Sequence, residues 1–134
     1  MTKKRIIIIC AIVLVVLVSG VIIFFVTRPS KKTLEAKLEN VGKLFYADYY
    51  KNQEKVQKDV IDFVKGFEKS GIQIDLENLS KMDTKYKEII DTLVNPSTNK
   101  KCDSKKSYIK IIPKKPYGES DYDIKVNLEC GFKK

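Results

Sequence analysis

Between Ile6 and Val26 the sequence runs for 21 residues without a charge, and only Ser19 and Gly20 interrupt the apolar series. As a helix it would measure about 31 Å, against roughly 30 Å of bilayer hydrocarbon. The run therefore predicts a transmembrane helix. A cleaved signal peptide is the competing reading, because Val18, Ser19 and Gly20 offer small residues to a peptidase. The apolar stretch continues through Val21, Ile22, Ile23, Phe24, Phe25 and Val26, however, past a usual h-region of roughly 7–15 residues. Cys10 follows four isoleucines and comes early, which fits a thiol in lipid better than a lipidation site.

The flanking charges do not orient this segment, since Lys3, Lys4 and Arg5 on one side face Arg28, Lys31 and Lys32 on the other. Its place at the extreme N-terminus, with a whole domain behind it, is that of a signal-anchor, and the trailing domain holds a cysteine pair. Both features predict a single-pass protein of the cell membrane with a cytoplasmic N-terminus and an extracytoplasmic C-terminal domain. The expected division is a tip and signal-anchor over 1–27, a juxtamembrane amphipathic helix over 28–71, and short helices with a C-terminal β-hairpin over 72–134. The last two are expected to pack as one domain.

Only Lys3, Lys4 and Arg5 precede the apolar run, so 23 of the 26 basic residues and all 17 acids follow it, a net +6. That excess suits polyanionic surroundings without naming a partner. Histidine is absent, which removes the commonest general base and metal ligand near neutral pH.

Near the C-terminus, Asp121 to Cys130 alternates polar and apolar residues, the period of a strand with one buried face. Upstream, Ser107 to Ile112 is rich in aromatic and β-branched residues, and Lys114 to Ser120 supplies a turn. The two strands predict an antiparallel hairpin. With its turn centred near Pro116, opposed residue numbers would add to about 232, bringing Cys102 and Cys130 together at the open end. A disulfide there implies an oxidising compartment, the alternative being two reduced cysteines that flank the hairpin. A zinc site does not fit, since two sulfurs without histidine leave the ion half coordinated.

Apolar residues at Leu34, Leu38, Val41, Phe45, Tyr49, Val56, Val60, Phe63, Val64 and Phe67 recur three or four apart. They predict an amphipathic helix, open to continuity with the segment before it and to a break near Asn52, with Gly71 as its stop. Ile72 to Ile74 suggests a short strand, Asp75 a cap for a brief helix carrying Leu76, Leu79 and Met82, and Tyr86 to Val94 a further helix ended by Asn95-Pro96. Tyr46, Tyr49 and Tyr50 cluster on the long helix. They suit a cover for the hairpin's apolar face, and alternatively a partner surface.

Ser97-Thr98-Asn99-Lys100 matches the S-x-x-K pattern of penicillin-interacting enzymes, yet it lacks their K-T-G element and follows a helix-ending proline. Asp121 and Asp123 point the same way from one strand, but on its solvent face, without the burial that tunes a catalytic acid. Asn78-Leu79-Ser80 fits a glycosylation sequon. No catalytic residue, metal site, cofactor or small-molecule substrate is expected. Lys100, Lys101, Lys105, Lys106, Lys110, Lys114 and Lys115 stand against one acid, Asp103. They are candidates for binding an anionic polymer (DNA or a wall polymer) or lipid headgroups, or for a charged edge that blocks aggregation.

The order of parts is a hydrophobic helix, an amphipathic one, a short helical linker, then Asn95-Pro96-Ser97-Thr98-Asn99-Lys100-Lys101-Cys102 and strands through Cys130. It resembles type IV pilin-like and pseudopilin-like proteins, and small anchored proteins of Gram-positive bacteria. The resemblance implies an α+β fold and a non-enzymatic surface role, as an adaptor or minor component of a secretion or DNA-uptake apparatus. The chain departs from pilins at Lys3-Lys4-Arg5-Ile6, with neither a glycine-ended leader nor a glutamate in the hydrophobic helix. The partners expected are the bilayer, through Ile6 to Val26, and another membrane or surface protein.

Overall fold

The computed structural model describes residues 29–133 together with Ile12, Val13, Val15, Val16 and Ser19. These form an α+β fold in which one long helix lies across a three-stranded antiparallel sheet.

The expected transmembrane helix is corrected. Among the described residues no helix is long and apolar enough to cross a membrane. Apart from those five residues, the run Ile6–Val26 lies outside the described residues. The long helix α1, Lys31–Val56, has the length to span at 26 residues, but it carries ionised side chains in nearly every turn, and their desolvation forbids a lipid setting. Nor does α1 continue from the preceding segment. Ser30 is its N-cap, in extended backbone, and its Oγ accepts from the Thr33 amide.

Leu34, Leu38, Val41, Phe45, Tyr46 and Tyr50 form the buried face of α1. The helix ends where Gln57 turns extended, and Asp59 then caps a separate helix α2, Val60–Lys65, by accepting from the Ile61 and Asp62 amides. A single helix over 28–71 is thus replaced by two, with the break five residues beyond Asn52. Gly71 ends the segment at φ +71°, and a Cβ there would sit 2.8 Å from Lys110 Cε and 3.1 Å from the Ile111 carbonyl oxygen. Glycine is the residue such a position requires.

Strand β1, Ile72–Asp75, follows, and then α3, Leu76–Met82, capped by Asp75, and α4, Thr84–Asp91, capped by Asp83. The helix expected over Tyr86–Val94 stops early. Leu93 is buried, and Val94–Asn95 form β2, paired antiparallel with β3, Lys100–Lys101. Strands β4, Tyr108–Pro113, and β5, Tyr122–Asn127, form the hairpin, and β1 pairs along the other side of β4 in the order β1-β4-β5.

Two rows of branched side chains cross the inner face. Ile72, Ile111 and Ile124 make one; Ile74, Ile109 and Val126 make the other. The helix α1 lies on these rows, and Gly42 marks the closest approach, since a Cβ there would be 3.2 Å from Ile124 Cδ1. Tyr46 extends the contact, edge-on to Tyr122 with ring centroids 4.7 Å apart.

The hairpin register differs from the expected one. Opposed residue numbers add to 235, as in Tyr108 and Asn127. The turn is centred on Tyr117 and Gly118, where Tyr117 takes φ +69° and the Gly118 amide donates to Asp121 Oδ2. Cys102 and Cys130 are bonded nonetheless. They meet beyond the ladder, where the Asp103 amide donates to the Glu129 carbonyl and the Cys102 amide to the Leu93 carbonyl.

Candidate functional site

Three groups of side chains carry the chemistry that this fold offers. The first surrounds the disulfide. Buried Asn95 donates from Nδ2 to the Cys130 carbonyl and accepts from the Ser97 amide, so its side chain bonds on both sides. Buried Ser107 accepts from the Glu129 amide through Oγ. Both hold the C-terminal tail against β2, β3 and the turn after Cys102. The bridge thus joins two loops that hydrogen bonds already bring together.

The second group is the lysines, and the structure does not bring the seven together. Lys110 lies on the central strand, flanked by Gln73 and Lys125 on the outer face, so the expected lysine-rich hairpin edge is corrected: β4 has a neighbour on each side. Lys114 and Lys115 lie at the turn end, where Lys114 pairs with Asp123. Lys105 and Lys106 lie at the other end of β4, their amides held by Asp103 Oδ1. Those two backbone bonds hold the Asp103 carboxyl below the usual carboxylate range. Lys100 and Lys101 occupy β3 and, with Lys106, Asp103, Glu129 and Gly131, line a cleft of about 330 Å³.

The third group was not anticipated. Asp48 on α1 accepts from Lys85 and Tyr86 on α4, beside a cleft of about 530 Å³ that includes Phe45, Asn52 and Met82. Lys85 followed by Tyr86 at the start of a helix is too common a pair to have signalled this contact. The two hydrogen bonds, Lys85 first, hold the Asp48 carboxyl low, and the same contact raises the Lys85 ammonium. Burial, then Asp48, pushes the Tyr86 phenol up. Every shift stabilises the protonation state already present at neutral pH. The cluster is a clamp between α1 and α4, with no group tuned toward proton transfer.

The tyrosines proposed as a partner surface are corrected in part. Tyr46 is fully buried and Tyr50 nearly so, while Tyr49 is half-buried. They cover the sheet and the α4 clamp, so only Tyr49 retains surface for another molecule. Burial first, then Glu54, raises the Tyr50 phenol. Of the remaining sequence motifs, Ser97 sits exposed in the β2–β3 turn and Ser120 in the turn of the main hairpin, on separate elements. Asn78 is exposed on α3, its Nδ2 donating to its own cap, Asp75 Oδ2. Among the described residues, no three His, Cys, Asp or Glu side chains are placed to hold a metal ion.

Fold and site together define a class: a small α+β domain with a helix-covered antiparallel sheet and a disulfide joining its C-terminal tail to the turn before β4. No protein-family model, curated protein or solved structure matches the chain.

Proposed function

We propose that this chain serves as an extracytoplasmic structural or interaction domain at a cell membrane, an accessory component of a surface apparatus such as one for secretion or DNA uptake. The observation that carries the reading is the Cys102–Cys130 bridge, because a disulfide in so small a domain persists in an oxidising compartment. The 21 uncharged residues from Ile6 to Val26 support the location through their chemistry, since so apolar a sequence favours lipid over water. The α1–α4 clamp supports the non-enzymatic part, because its charged groups are committed to one another. Exposed Leu44 and Met82 leave apolar surface on α1 and at the end of α3 for a protein partner.

Thiol labelling of intact cells with a membrane-impermeant maleimide, before and after reduction, tests the location. Labelling of Cys102 and Cys130 that requires reduction but not lysis is expected. Labelling that requires lysis but not reduction would place free thiols in the cytoplasm and sink the proposal.

A further inference from the structure

The first turn of α1, strand β3 and the C-terminal tail come together at one end of the domain. Lys31 Nζ lies 5.9 Å from the centre of the Phe132 ring, and Gly131, next to Phe132, is packed against the Lys100 side chain. The disulfide and the Asn95–Cys130 hydrogen bond fix the tail in this place. Lys31, Lys32, Lys100, Lys101, Lys106 and Lys133 are all exposed here, against Glu35, Asp103 and Glu129, with Asp91, already paired with Lys87, near Lys101. Among the described residues, Lys31 alone of the six has an ion-pair partner within 4 Å, Glu35 at 3.8 Å. Unpaired, exposed ammonium groups gathered around a half-buried phenylalanine make a surface suited to dense anionic charge beside apolar matter.

The chain's course says which anion. Only four residues, Thr27 to Ser30, separate the apolar run from α1, and the five steps from Val26 to Lys31 reach at most about 18 Å when fully extended. Whatever surface holds the apolar residues therefore lies within that distance of this basic end. The far end of α1, about 39 Å away at its full length, has a different character. There Lys51 pairs with Glu119 at 3.4 Å, and Glu54, Asp59 and Asp121 also face Tyr50. At that end acids stand in number beside Lys51, Lys55, Lys114 and Lys115, whereas lysines outnumber acids where the apolar run attaches.

We propose that this end of the domain seats anionic phospholipid headgroups, with the ammonium groups on phosphates and Phe132 at the level of the glycerol backbone. The seat would fix the domain's orientation on the membrane. The proposal rests on the membrane location inferred above but not on its sidedness, so the thiol experiment and the one below fail independently.

The test uses the full chain mixed with vesicles of phosphatidylcholine alone or with about one-third phosphatidylglycerol. An amine-reactive reagent is applied, and modification is read at each lysine by mass spectrometry. In the anionic vesicles Lys100, Lys101 and Lys133 are expected to react at least about threefold more slowly than in neutral ones. That protection should vanish in about 0.5 M salt, with Lys115 unchanged throughout. The triple variant Lys100→Glu, Lys101→Glu, Lys133→Glu, altered only at exposed positions, should lose the remaining protection at Lys31 and Lys32. Equal labelling in both vesicles, or no association with either, overturns the proposal. Equal protection by duplex DNA without vesicles would assign the surface to soluble polyanions and overturn it as well.

Discussion

At the scale of single residues, burial and partnering decide what a side chain does. Tyr46 is buried with no hydrogen-bond partner for its hydroxyl among the described residues, and burial, followed by its neighbours Tyr50, Tyr49 and Tyr122, raises its phenol pKa. Its ring does the packing and its oxygen adds only a desolvation cost. Tyr46→Phe should therefore leave stability unchanged or raise it by about 1 kcal/mol, whereas Tyr46→Ala should lose about 3–5 kcal/mol. Urea denaturation of both variants measures this. A loss in the Phe variant would reveal a partner for the hydroxyl.

Asp48 behaves oppositely, since its value is the charge. Because its folded pKa is depressed, the clamp stabilises the fold above the ordinary carboxylate range, near about pH 4, and that contribution is lost as pH falls through the lower folded value. With both partners of the ion pair well exposed, solvent screening keeps the contribution small. Asp48→Asn should accordingly flatten the decline in melting temperature between about pH 5 and pH 2. An unchanged slope would show that the carboxylate is not coupled to folding.

At the scale of elements, the helix–sheet contact turns on Gly42, which admits the helix backbone to within van der Waals reach of Ile124 and Ile109. Gly42→Leu would force the layers apart, at a cost of about 1–3 kcal/mol in chemical denaturation, despite leucine's better helix propensity. A stability equal to wild type would mean that α1 is free to shift on the sheet. The Asp75 cap was legible because it is local, its side chain accepting from the amide three residues on, whereas α2 ends at Gly66, short of the Gly71 expected as the stop. The break before Asp59 was not legible, because the helical spacing of Val56, Val60, Phe63 and Val64 continues across it. Asp59 wins by bonding two amides that an uninterrupted helix would have engaged.

At the scale of the whole molecule, the disulfide closes the unit that the sheet leaves open. With a sequence separation of 28, the bridge restricts the unfolded chain by about 3.5 kcal/mol on the loop-entropy account. The paired change Cys102→Ser with Cys130→Ser should lower stability by about that amount. It should also release the tail, seen as faster hydrogen exchange at the Cys102 and Asp103 amides. Protection at those amides without the bridge would mean that hydrogen bonding alone holds the end.

Periodicity and capping were within reach of the sequence, which determined that α1 has one apolar face, that Tyr122 to Asn127 alternates, and that Cys102 and Cys130 belong together. The first two follow from the short-range geometry of helix and strand, while the cysteine pairing holds although the hairpin register differs from the expected one. Tertiary structure alone decided that β4 is central, that the hairpin turns at Tyr117 and Gly118, that Tyr46 is buried, and that the seven lysines between Lys100 and Lys115 do not form one surface. These depend on long-range contacts: an apolar face shows in its residue spacing, but what covers it depends on packing free energy summed over segments far apart in the chain.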